Sequence, residues 1–173
     1  MIYVMQIHTD KTAYVALFLE RWLLREGESV YAPTYEKEMT IRGEKRLVTK
    51  RLFPGYMFIQ SGAVIDFYTR LKEVKMEGFL LTLTKLLGAE GEFIPLSDEE
   101  EKEFLSLTGE EHKAGMSYGI IADGRLQITS GPLAGREGDI VRIDRHKRTA
   151  ILSMPFMGRR VKVRLGLEVA EKS

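Results

Sequence analysis

The chain begins with a nearly continuous apolar run, Ile2-Tyr-Val-Met-Gln-Ile7, which predicts a strand. Val15, Phe18, Leu19, Trp22 and Leu23 then recur at helical spacing. A helix from Lys11, capped by Thr9 or Asp10, is therefore expected to bury one stripe, Trp22 included, and to stop at Gly27. Val30-Tyr-Ala-Pro33 reads as a short strand. Two extended runs, Glu36 to Ile41 and Arg46 to Phe53, flank Arg42-Gly-Glu-Lys45, and Gly43 suits the tight turn of a hairpin. Pro54-Gly55 predicts a bend, and Tyr56 to Ile59 a strand after it. Ile65 to Val74 is helix-like, with Phe67, Leu71 and Val74 on one side. Residues 76–94 fit either a strand or a short helix. Ser97-Asp-Glu-Glu100 is a capping-box start for a helix whose apolar side holds Phe104, Leu105 and Leu107.

Polarity changes again at Thr108. Residues 108–118 are polar, contain Gly109 and Gly115, and show no period, so they are read as a linker between domains at 1–107 and 119–173. From Arg125 onward the pattern is strand throughout, with β-prone runs at Ile140–Ile143, Thr149–Met154 and Arg160–Leu165. Gly131, Gly135 and Gly138 stand where a small barrel needs bends. In the last run Val161, Val163 and Leu165 share one face, while Arg160, Lys162 and Arg164 share the other. The fold class expected is α+β: a mixed sheet with helices, followed by a small five-stranded SH3-like β-barrel.

Composition narrows the function. No apolar run approaches the roughly 18 residues of a membrane span, and the start lacks the basic n-region of a signal peptide. The chain has no cysteine, which excludes thiol catalysis and cysteine-ligated zinc and is consistent with a cytoplasmic protein. The net charge of +1 conceals an asymmetry. Residues 1–124 carry 15 Lys+Arg against 20 Asp+Glu; residues 125–173 carry 11 against 5. The basic half is the candidate for nucleic acid.

Catalytic chemistry is poorly represented. His8, His112 and His146 are far apart, none at ligand spacing to another, and the acidic run 98–103 is explained by helix capping. There is no phosphate-binding glycine loop and no nucleophile elbow. The chain is read as a non-enzyme with no catalytic, metal or cofactor-binding residues. Binding chemistry is richer. Tyr3, Phe53, Tyr56 and Phe58 form one aromatic group. The strand Tyr56–Ile59 is apolar on both faces, which fits either a strand covered on both sides or one with a face left open as a groove. Arg145, His146, Lys147, Arg148, Arg159, Arg160, Lys162 and Arg164 form a cationic group suited to phosphates. Arg42, Lys45, Arg46, Lys50 and Arg51 make the hairpin basic, with Arg42, Lys45 and Arg46 the candidates to lie near nucleic-acid phosphates.

Two motifs carry a family resemblance. Arg51-Leu-Phe-Pro-Gly-Tyr-Met-Phe-Ile59 resembles the strand signature of the N-terminal (NGN) domain of NusG-type transcription elongation factors. Ile128-Thr-Ser-Gly-Pro-Leu-Ala-Gly-Arg-Glu-Gly-Asp-Ile-Val-Arg-Ile-Asp144 resembles the KOW motif that opens that family's C-terminal barrel. The resemblance implies an N-terminal domain that holds the β′ clamp helices of RNA polymerase in an apolar groove, with Phe53, Tyr56 and Phe58 matching groove residues and Tyr3 placed by its strand. It implies a hairpin lying toward upstream or non-template DNA. In the family, a Phe directly before Gly-Arg belongs to the surface used for the ribosome and for the Rho factor. Here Met157 takes that position and Phe156 comes one earlier, while Leu133 replaces the usual Phe after Gly-Pro. These departures leave the Rho and ribosome partnerships open. With the basic barrel, they point to a monomeric, specialised antiterminator similar to LoaP, reading a nascent RNA hairpin.

Overall fold

The structure is a computed structural model that describes residues 1–7, 12–76, 83–86 and 95–171. Among the described residues there are three α-helices, α1 (Thr12–Trp22), α2 (Val64–Met76) and α3 (Asp98–Thr108). The strands are β1 (Ile2–Ile7), β2 (Ser29–Tyr31), β3 (Thr34–Ile41), β4 (Glu44–Arg51), β5 (Tyr56–Gln60), β6 (Leu83–Leu86), β7 (Lys113–Ala114), β8 (Ser117–Ala122), β9 (Arg125–Ser130), β10 (Ile140–Asp144), β11 (Thr149–Phe156) and β12 (Arg159–Glu171). The α+β class is as expected. The expected cap at Thr9 or Asp10, His8 and most of the ambiguous 76–94 stretch lie outside the described residues.

The chain divides into two compact units, Met1–Ala32 with Phe53–Glu101, and Pro33–Leu52 with Lys102–Ser173. In the first, a sheet of order β2-β5-β1-β6 carries α1 and α2. Antiparallel register pairs Tyr3 with Ile59 and Met5 with Met57, and these four turn to one face. There they meet Val15, Leu19, Leu23, Phe67 and Leu71 in a shared core. Trp22 departs from expectation: it is 67% exposed, with the Arg21 guanidinium 5.4 Å from its ring centroid. The buried stripe runs Thr12, Val15, Leu19, Leu23. At about 100° per residue, Trp22 falls to the side of that stripe, and Leu23 takes the inward position.

A polar cluster ties this unit together. Glu28 receives the Arg70 guanidinium at 2.7 and 2.9 Å, the Ser61 hydroxyl at 3.2 Å and the Arg25 backbone N–H at 2.9 Å. Arg70 also donates to the Leu23 carbonyl. Burial alone would raise the Glu28 pKa; the Arg70 hydrogen bond, the Arg25 backbone N–H, the Arg70 charge and Ser61 together hold it below its ordinary value.

The second unit holds the barrel sheet, of order β10-β11-β12-β8-β9, and a three-stranded sheet of order β4-β3-β7. In the barrel core Ala150, Leu152, Met154 and Phe156 on β11, Val163, Leu165 and Leu167 on β12, and Leu133 on the preceding turn are all buried, while Val161, expected on the same face as Val163 and Leu165, is half-buried. The hairpin β3–β4 turns on Arg42 and Gly43, both at positive φ, the geometry of a two-residue hairpin loop. The stretch read as a linker, 108–118, contains β7, which pairs parallel to β3 at Thr34 and Tyr35, and the start of β8. The hairpin therefore belongs to the compact unit that holds the barrel, a division that composition does not reveal. Arg136 adds a further tie, donating to the Glu103 carboxylate and the Ser106 hydroxyl.

Candidate functional site

The Pro54-Gly55 bend is a β-turn. The Tyr56 N–H donates to the Phe53 carbonyl at 3.1 Å, and Gly55 at the third position takes φ +85°. The Ile7 N–H donates to the Gly55 carbonyl at 2.8 Å, which anchors the turn to β1. Register then sorts the aromatics. Val4 and Tyr31 both pair with Phe58, so these three share the sheet face opposite Tyr3. Phe58 stacks on Tyr31 at 5.9 Å between centroids and meets Phe53 at 5.4 Å. Burial, with a smaller contribution from the Glu101 charge, pushes the Tyr31 hydroxyl well above its ordinary value. The four aromatics thus do not form one face. Tyr3 belongs to the α1–α2 core and is 5% exposed; Phe53 and Phe58 are 7% and 0% exposed. Of the four, only Tyr56 is half-exposed. In this conformation Phe53 and Phe58 shape the surface from beneath rather than line an open groove.

The barrel cations fall into two places. Arg145, His146 and Lys147 are exposed on the β10–β11 turn, where the Asp144 carboxylate accepts the Lys147 N–H at 2.9 Å. That backbone hydrogen bond is the main cause of a lowered Asp144 pKa. Arg159, Arg160, Lys162 and Arg164 are exposed along β12. Pairing of Phe156 with Arg159 and of Ile151 with Arg164 spreads the β12 cations along the β11–β12 ribbon, with Arg159 at the end remote from the β10–β11 turn and Arg164 near the end where that turn lies. Several members are already engaged, Lys147 among them, 3.8 Å from Asp144. Arg148 is turned to Glu168 at 2.9 Å and reaches the Thr40 hydroxyl at 3.4 Å. Arg160 is held by Asp139 at 2.9 Å and by the Ser153 carbonyl at 2.7 Å.

On the hairpin, Arg42 is exposed at the turn and Arg46 pairs with Glu44 at 2.8 Å. Lys45 lies 3.7 Å from Glu38 and 3.8 Å from Glu168. Sequence reasoning misses Lys37 and names Lys50 only as one of the hairpin's cations, yet both stand close to the barrel's cations. Burial first, then the charges of Arg164, Lys50 and Lys147, push the Lys37 ammonium below its ordinary pKa, with Asp144 opposing. Period-2 alternation places Lys37 and Lys50 on one hairpin face; that these lysines stand near Arg164 and Lys147 of the barrel is a long-range fact no local pattern carries.

The KOW-like turn is built as its glycines require. Gly131 takes φ +93°, and a Cβ there would lie 2.5 Å from the Met116 carbonyl oxygen and the Ser117 Cα. The buried Ser117 hydroxyl accepts the Leu133 N–H at 3.1 Å, and Glu137 accepts the Ile128 N–H at 2.9 Å. Met157 and Gly158, both at positive φ, close the β11–β12 turn, while Phe156 is buried in the barrel core. Phe156 therefore does not replace the missing aromatic at position 157. His112 stacks on Phe104 at 6.1 Å, and burial lowers its pKa. Among the described residues no group of three His, Cys, Asp or Glu is placed to hold a metal ion, and no helix is long and apolar enough to cross a membrane.

Comparison with known proteins agrees with the motifs. Residues 2–105 match the family described as transcription termination factor NusG. The chain is 29% identical to the transcription termination/antitermination protein NusG of Borreliella burgdorferi, covering 88% of each chain. It is 28% identical to the Thermus thermophilus protein of the same name, over 83% of this chain and 80% of that one. Identity to the Pasteurella multocida protein of that name is 24%, over 99% of this chain and 94% of the relative.

Proposed function

Since the chain belongs to the NusG family of non-enzymatic transcription factors, we propose that it is an elongation and antitermination factor for selected operons. Residues 1–107 bind RNA polymerase at the β′ clamp helices, with Tyr56 as the accessible aromatic over a base of Phe53 and Phe58. The barrel, 119–173, binds a nascent RNA hairpin, and complex formation suppresses pausing or termination in the cytoplasm. The observation that carries this reading is the row of exposed cations on β12 and the β10–β11 turn, Arg159, Lys162, Arg164, Arg145 and Lys147. Lys and Arg neutralise phosphates and release counterions, a salt-dependent attraction. The test is single-round transcription through a leader hairpin and a downstream terminator. Readthrough that rises with the protein, and only when the hairpin is intact, is the expected result. Readthrough unaffected by the protein on every leader would overturn it.

A second reading is a housekeeping factor that couples polymerase to Rho or the ribosome; relatives named termination/antitermination proteins are compatible with both readings. Burial of Phe156 and Leu133 supports the specialised reading, because neither offers an exposed aromatic to such partners. A pull-down with Rho separates the two: tight capture favours the housekeeping role.

A further inference from the structure

The two faces of the β3–β4 hairpin do different things. One face carries Glu38, Thr40 and Lys45. Its contacts run to the barrel: Lys45 and Arg148 both reach Glu168, and Arg148 also reaches Thr40. The approach is close enough to require glycine at 166. A Cβ there would collide with the Glu36 carbonyl oxygen, lie 2.5 Å from the Met116 sulfur and lie 3.1 Å from the Lys37 Cα. Strand β12 thus meets the backbone of β3 with no side chain between them.

The other hairpin face carries Tyr35, Lys37 and Lys50. Tyr35 pairs with Lys50 across the hairpin, and Lys37 comes two residues after Tyr35. On β12, Arg164 precedes Gly166 by two residues and turns to the same side of its strand. Arg164, Lys50 and Lys147 all act electrostatically on Lys37, and Arg164 acts on the buried Tyr35. Four cations from two separate segments thus converge, with the Asp144 carboxylate opposing them. Like charges held together are unfavourable until an anion lies among them. The folded unit nevertheless holds them there, through Glu168 and the contact at Gly166.

We propose that the docked hairpin completes the RNA-binding face of the barrel, with Lys37 and Lys50 joining Lys147 and Arg164 to grip the phosphates of an RNA stem, and Glu168 acting as the latch that positions them. This rests on the RNA-binding reading above and extends it to residues outside the barrel. Glu168 is a positioning residue: it touches cations and not the ligand.

The experiment measures binding of the full chain to a labelled transcribed RNA hairpin across a salt series. Removing two phosphate-binding lysines reduces the salt slope by about two. Lys37→Ala/Lys50→Ala is expected to do this and to weaken binding at least tenfold. Glu168→Gln gives the sharper result. It makes the protein more positive, so simple attraction predicts tighter binding, whereas loss of the latch predicts binding several-fold weaker. Far-UV circular dichroism and thermal midpoints check that each variant folds. Tighter or unchanged binding by folded Glu168→Gln, together with an unchanged salt slope in the lysine double variant, would overturn the proposal. The barrel variant Arg159→Ala/Lys162→Ala separates the two failures. If it weakens binding while Lys37→Ala/Lys50→Ala does not, the composite face is wrong and RNA binding by the barrel stands. Absence of binding by the unaltered chain would remove both. A DNA duplex of the same sequence that competes equally would overturn RNA as the partner.

Discussion

Glu28→Ala is the substitution whose cost can be worked most fully from the structure. The Glu28 side chain is 7% exposed and that of Arg70 14%. Removing one member of a buried, hydrogen-bonded pair leaves the other charge uncompensated, at about 3–5 kcal/mol. Arg70 keeps two partners, the Leu23 carbonyl and Asp66 at 3.3 Å. The lower end, about 3 kcal/mol, is therefore expected. That is a large share of the roughly 5–15 kcal/mol that holds a domain folded. The assay is urea unfolding followed by fluorescence of Trp22, the single tryptophan, which lies in the unit that contains the pair. Adding Arg70→Met should recover part of the loss, because it removes the stranded guanidinium. The pH dependence has a definite sign. The folded pKa of Glu28 lies below its ordinary 4.5. Its contribution is thus complete above pH 4.5 and is lost as pH falls through the lower, folded value. The variant should lose that part of its acid sensitivity. A cost under about 1 kcal/mol, the range of an exposed ion pair, would refute the reasoning.

Four further outcomes are expected. Gly131→Ala should destabilise the barrel unit by more than about 1 kcal/mol, since φ +93° and the contacts at Met116 and Ser117 both oppose a Cβ; thermal unfolding measures it. Ser97→Ala should cost about 1 kcal/mol, because the Ser97 hydroxyl accepts the Glu100 N–H at 3.2 Å while the Glu100 carboxylate accepts the Ser97 N–H at 2.9 Å; the same unfolding curves read it. Tyr56→Ala should weaken binding to RNA polymerase with little loss of stability. Phe58→Ala, at a fully buried position, should cost about 3–5 kcal/mol; parallel binding and unfolding curves distinguish the two.

The fold is legible in the sequence where one local signal settles it. The β3–β4 turn at Gly43, the capping box at Ser97 and the alternation of Val163 and Leu165 with Lys162 and Arg164 all appear where their patterns place them. Such features depend on neighbours a few residues away. Trp22 is the exception because the period of α1 admits two adjacent large apolar residues at its end, and only packing decides between Trp22 and Leu23. The aromatic group divides because register, not composition, sets the face of a strand residue: Tyr3 pairs with Ile59 and Phe58 with Val4. The cationic group is visible as a set of residues, but its geometry is not. Arg148 and Arg160 are occupied by Glu168 and Asp139, while Lys37 and Lys50 are recruited from a distant part of the chain. Non-local ion pairs leave no trace in spacing.

Whether this NusG-family chain reads RNA through its basic barrel is tested most directly by selection. The full chain is challenged with a library of transcribed leader RNAs at about 150 mM salt, where weak phosphate contacts are screened. Winners are then compared with scrambled hairpins and with the Arg159→Ala/Lys162→Ala variant. Saturable preference for one class of hairpin, lost in the variant, is the predicted result. Equal binding to scrambled RNA would contradict RNA reading and leave the barrel as a protein-binding module.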